Sequence, residues 1–132
     1  MIFLDSGVIV SALYRRDDDH AACLALVECG DAFTSAHALA ETFCTLTGQY
    51  RVKNDLAAKA LLSLRSSVRV EAVLVDDYAQ VFETAREQGV MGGLVYDALH
   101  AQVARRLKAE HIYTLNVSNF EHVAGGLSVR HP

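Results

Sequence analysis

Residues 1–13, MIFLDSGVIVSAL, decide the fold. The run MIFL is short, apolar and sharply bounded, as a strand buried on both faces is. It ends on Asp5. Residues 8–15 then return to helical spacing, with Asp5 or Ser6 placed to cap the helix. A buried strand feeding a helix opens an α/β layered domain. An acid at the carboxyl end of such a strand stands where parallel sheets bind their ligands.

Working outward, strands and helices alternate. Asp17, Asp18 and Asp19 precede a second helix, since acids favour a helix N-terminus, and Gly30 ends it. A short strand is expected over 32–34, and a strong helix from Ser35 through Leu46. A further helix spans 55–64 and a strand 69–75. Asp76 is placed to cap a helix that runs to Gln88, where Gly89 stops it. The last elements are a helix over 94–108, a strand over 112–115 and a short strand over 127–129. This order predicts a three-layer α/β/α domain with a small, mostly parallel central sheet and right-handed crossovers. No repeat, low-complexity tract or linker divides the chain, so residues 1–132 read as one domain.

The 132 residues are 52% apolar and 21% charged. That is the composition of a globular protein, and a chain of this size buries roughly two-thirds of its unfolded surface without staples. The apolar runs are too short and too interrupted to cross a membrane. The N-terminus has neither the basic start nor the apolar stretch of a signal peptide, so a cytoplasmic location is expected. Cys23, Cys29 and Cys44 are odd in number and lack metal spacing, and they read as buried free thiols. A net charge of −4 argues against a general polyanion-binding surface. It leaves room for a local basic rim, with Arg15, Arg16, Arg51, Lys53, Arg105, Arg106 and Lys108 as candidates; the plain alternative is solvated helix faces.

Three acids lie in apolar settings: Asp5 in IFLDSG, Glu41 in AHALAETF and Asp97 in GGLVYDALHA. None has a Lys or Arg close by in sequence. A buried charge is costly unless it is paired or bound to a metal, so three such carboxylates suggest a divalent cation held by hard oxygen ligands. Each also has a structural use. Asp5 can cap a helix, Glu41 can lie on a narrow polar stripe and pair with His37 four residues earlier, and Asp97 can stabilise a first helical turn. A two-residue site from His37 and Glu41 lacks a third nitrogen ligand. His100 reads as a supporting or surface histidine. In IYTLNVSNFEHV, Thr114, Asn116, Ser118 and Asn119 follow a strand as neutral oxygen donors or as ordinary turn residues. Tyr14, Tyr96 and Phe120 can stack a base or fill the core.

Taken in order, FLDSGVIVSAL, SAHALAETFCTLT, GGLVYDALHAQVA and IYTLNVSNFEHV resemble the PIN-domain ribonucleases, most closely the VapC-type toxins of toxin–antitoxin pairs. The spacing of 36 residues from Asp5 to Glu41 and 56 from Glu41 to Asp97 fits a small member. The resemblance implies an acidic pocket for Mg²⁺ or Mn²⁺ and endonucleolytic cleavage of RNA. It places Asp5, Glu41 and Asp97 as catalytic residues, with Asp5 and Asp97 on the metal. Ser6, Thr114, Asn116 and Asn119 would support them. It also implies a homodimer and a cognate antitoxin that blocks the pocket. Two positions depart from the pattern. Asn119 stands where a fourth acid is usual, which puts a tightly held second metal in doubt, and Gly7 replaces a small polar residue. A PIN module that binds RNA or protein without cutting is the alternative. A phosphotransfer receiver lacks its paired acids here, and a haloacid-dehalogenase-like phosphatase lacks its Asp-x-Asp.

Overall fold

The computed structural model describes Met1–Pro132. Its centre is a five-stranded sheet in the order β3-β2-β1-β4-β5, built from β1 (Ile2–Leu4), β2 (Ala32–Ser35), β3 (Arg69–Glu71), β4 (His111–Tyr113) and β5 (Ser128–Arg130). All four pairings are parallel, with Phe3 opposite Phe33 on one side and Ile112 on the other. Helices α1 (Ser6–Leu13), α2 (His20–Val27), α3 (Ala36–Cys44), α4 (Asn54–Leu64), α5 (Val75–Gln88), α6 (Leu94–Arg106) and α7 (Val117–Val123) complete the chain.

The two-residue period of a strand sorts β1 between two cores. Phe3 joins Phe33, Ile112 and Phe120 with the inward faces of α5, α6 and α7. Leu4 joins Val8, Ile9 and Ala12 with residues of α2, α3 and α4. Helices thus cover both faces of the sheet, and three-layer packing with a parallel sheet follows as expected.

Several boundaries move. The 69–75 strand stops at Glu71, and Val75 already begins α5. Asp77, not Asp76, closes the start of that helix: its Oδ2 accepts the backbone N–H of Leu74 at 2.9 Å. Gly89 ends α5 in the left-handed region (φ 64°), a conformation that costs glycine little. The segment after β4, taken in sequence for a turn, is the short helix α7. A π-helical stretch, Thr45–Gln49, prolongs α3. No helix is long and apolar enough to cross a membrane.

Two of the seven basic residues proposed for a rim are structural instead. Arg106 donates to both carboxylate oxygens of the buried Asp77 and to the Ala72 carbonyl. Arg105 donates to the Val123 carbonyl and to Gln102. Arg15, Arg16, Arg51, Lys53 and Lys108 remain exposed. Of the cysteines only Cys23 is buried, where burial pushes its thiol up to about 11; Cys29 and Cys44 are exposed.

Candidate active site

The strand order reverses beside β1, because the chain builds toward β2 and β3 on one side and toward β4 and β5 on the other. A crevice opens at such a switch point, outside the carboxyl ends of the strands. Asp5 follows β1 there and caps α1, Ser35 ends β2 and caps α3, and Thr114 follows β4.

Asp5 is 7% exposed, and both its oxygens are engaged. Oδ1 accepts the Ser6 backbone N–H at 2.7 Å, the capping interaction of α1, and Oδ2 accepts the Thr114 hydroxyl at 2.9 Å. Thr114 Oγ1 in turn accepts the Asn116 backbone N–H at 3.0 Å. Capping leaves room for a ligand at Asp5, since each carboxylate oxygen has a second lone pair. The Ser6 hydroxyl stands between acids, 3.5 Å from Asp5 Oδ1 and 3.4 Å from Glu41 Oε2.

Glu41 has a partner that the sequence did not disclose. His100 is fully buried, and its Nε2 lies 2.5 Å from Glu41 Oε1. Its Nδ1 lies 3.0 Å from Ser35 Oγ, which already accepts the Ala38 N–H. The directions close if the Ser35 hydroxyl donates to Nδ1 and Nε2–H donates to Glu41. The helix cap, the histidine and the glutamate thus form one chain of hydrogen bonds. His37 lies farther from Glu41 Oε1, at 3.6 Å, and stacks on Tyr96.

Asn119 stands beside Asp97 and pulls its proton affinity down. The Asn116 side chain turns instead to the Ser118 hydroxyl, so of Asn116 only the backbone serves the site. Phe120 belongs to the core, and Tyr14 stacks on Tyr50. Gly7 leaves room for a side chain, since a Cβ there meets Asp5 Oδ2 at 3.8 Å, an ordinary contact.

The electrostatics separate the three acids. Burial raises Asp5 above the ordinary carboxylate range against the opposing pull of His100, Thr114 and Ser6. Burial also works to raise Glu41, but the hydrogen bond from His100 leads the influences that leave it below its ordinary value. Asp97 is pushed up to about 6, first by burial and then by Asp5. No Lys or Arg is among the groups that shift them.

A family model, PIN domain, matches residues 2–126. The chain belongs to the PIN-domain family. It is 34% identical to ribonuclease VapC27 of Mycobacterium tuberculosis, over 81% of this chain and 79% of that protein. VapC20 of Mycobacterium tuberculosis, described as a sarcin–ricin loop cleaving toxin, superposes with a TM-score of 0.75 at 24% identity, over 96% of each chain. The VapBC2 structure from Rickettsia felis, solved bound to a DNA fragment from its promoter, gives a TM-score of 0.73 at 20% identity, over 100% of this chain and 99% of the other.

The site of this PIN domain fits a small hard cation held by few protein ligands. No three His, Cys, Asp or Glu side chains form a ready-made metal cage. Glu41 is held by His100 and Ser6, which leaves Asp5 and Asp97 as the pair whose repulsion a cation relieves. Mg²⁺ suits one or two carboxylates, with water and phosphate oxygens completing its octahedron.

The raised proton affinity of Asp97 has a consequence for stability. Between about pH 4 and pH 6 the folded protein holds a proton that the unfolded chain releases, so the metal-free protein loses stability as pH rises through that window. Asp97→Asn removes this loss. In EDTA, the thermal midpoint of Asp97→Asn should therefore gain on that of wild type as pH rises from about 4 to about 7. A difference that stays constant with pH would remove Asp97 as the strained acid.

Proposed function

We propose that this PIN domain is a metal-dependent endoribonuclease and the toxin of a toxin–antitoxin pair. One observation carries the reading: burial raises the proton affinity of both Asp5 and Asp97, the Asp5 carboxylate at the switch point of the sheet raises Asp97 further, and no Lys or Arg is among the groups that offset this. A third, Glu41, stays ionised beside them. The ribonuclease named among the relatives supports RNA as the substrate.

Asp5 and Asp97 would hold Mg²⁺ or Mn²⁺, which when bound stabilises phosphate charge as a Lewis acid and acidifies water. Glu41 takes a proton from the attacking water as that water's oxygen adds to phosphorus and one P–O ester bond breaks. His100 fixes the Oε1 side of Glu41, so the free lone pairs of Oε2 face the reaction. Thr114 holds Asp5 from behind, with the Asn116 N–H holding Thr114. Asn119 adds a neutral donor and no charge, in keeping with one tightly held cation.

The proposed partners are an antitoxin and a second copy of the chain. Two helices carry apolar side chains that nothing in the chain covers. On α5, Val75 is 82% and Phe82 63% exposed, with Leu74 and Tyr78 beside them, and α4 exposes Leu56 and Leu62. Such surfaces mark protein contacts. A cytoplasmic location completes the proposal.

The test is cleavage of a structured RNA pool by identically purified wild type and Asp97→Asn, in Mg²⁺, Mn²⁺ and EDTA. The expected result is cleavage by wild type only, lost in EDTA. Equal cleavage by both proteins refutes the assignment of Asp97. Binding of RNA without turnover by wild type would favour the non-cutting module.

A further inference from the structure

One face of α3 carries His37, Ala40, Glu41 and Cys44, spaced as neighbours on a helix surface. With Thr45 and with Tyr96 from the first turn of α6, they line an open cavity of about 380 Å³. Glu41 is shared between this cavity and the carboxylate site, so whatever fills the cavity lies next to the reacting phosphate.

The wall has a definite chemistry. The rings of His37 and Tyr96 stack at 5.0 Å between centroids and 19° between planes. Tyr96 is 46% exposed and packs into none of the hydrophobic clusters, so its ring is available from solvent. Ala40 and Cys44 add apolar surface. No Lys or Arg lines the cavity, and the Glu41 carboxylate repels an anion, so the cavity disfavours a phosphate. The fitting occupant is flat and uncharged, with π faces for the rings and N–H groups on its edge for the Glu41 carboxylate and the Thr45 hydroxyl. A nucleobase has those properties, and the volume also admits its ribose.

We infer that this cavity is a base subsite, which takes an unpaired purine flanking the scissile phosphate by stacking on the His37–Tyr96 pair. The inference rests on the nuclease reading and adds to it a source of selectivity. A paired base in an A-form helix cannot present its faces, so the subsite confines cutting to loops, bulges or ends. A purine is favoured over a pyrimidine by its larger stacking area.

The experiment uses hairpin RNAs that carry 2-aminopurine at one loop position at a time. They are titrated with the protein on the Asp97→Asn background, so that the RNA stays intact. The expected result is quenching at one loop position. Adding Tyr96→Ala should abolish the quenching and weaken binding about 5- to 150-fold, the range for one lost base–aromatic stack. Tyr96→Phe should preserve both, and Tyr96→Leu, which keeps bulk without a ring, should behave as Tyr96→Ala. RNA binding without quenching at any position overturns the subsite, as does quenching that survives both Tyr96→Ala and Tyr96→Leu. Cleavage of the same hairpins by the protein with Asp97 intact is scored separately. Tyr96-dependent quenching without cleavage keeps the subsite and refutes the nuclease; cleavage indifferent to Tyr96→Leu does the reverse.

Discussion

Glu41→Gln is expected to lower kcat for RNA cleavage by about 10²- to 10⁴-fold, the usual contribution of a positioned general base. The substitution is conservative in every respect but one. A glutamine carbonyl still accepts from His100 Nε2, so the link to Ser35 survives, and the side chain keeps its length and place. What disappears is the capacity to take a proton. Because Glu41 is held below its ordinary pKa, it is ionised at neutral pH and available as a base, whereas Asp97 is raised and Asp5 is tied at both oxygens. RNA affinity should change little, or rise slightly, since one negative charge leaves a site that receives phosphate. Single-turnover rates and equilibrium binding on one substrate separate the two effects. Loss of binding in step with the rate would make Glu41 a substrate or metal contact; an unchanged rate would send the proton elsewhere.

The carboxylates were legible because an acid in an apolar run is a local anomaly, visible within about one helical turn of sequence. Asp5 shows it most plainly: the three-residue strand before it is too short to be anything but a sheet element, and its burial on both faces follows from Phe3 and Leu4 entering different cores. Other features depend on partners far away in the chain. His100 meets Ser35 and Glu41 across 65 and 59 residues, and Arg106 meets Asp77 across 29. No local pattern announces such pairs. The 69–75 strand was overextended for a related reason. Leu74 and Val75 look like core residues in sequence, yet they face solvent at the start of α5. Helix α7 was hidden by its composition. Asn116, Ser118 and Asn119 are turn formers, and a seven-residue helix owes its existence to the packing of Phe120 and Val123 rather than to propensity.

His100→Phe should cost about 1–3 kcal/mol of stability, the penalty for leaving buried polar groups without partners, and should lower cleavage about 10- to 100-fold. Phenylalanine keeps a ring beside Phe3, so the change removes hydrogen bonds rather than bulk. Ser35 Oγ and Glu41 Oε1 then lose their common partner. The stability loss alone would not identify a positioning role. The pH profile does. His100 is the largest influence holding Glu41 below its ordinary pKa, and burial, which works in the other direction, remains after the substitution. Glu41 must therefore hold its proton to higher pH, and the acid limb of the cleavage profile should move upward in pH. His100→Gln, whose amide can donate to the carboxylate, should recover part of the rate and return the limb toward its wild-type position. A limb that stays in place in His100→Phe would show that the histidine only fills space, and the proton of the reaction would then have to go to a carboxylate that His100 does not hold.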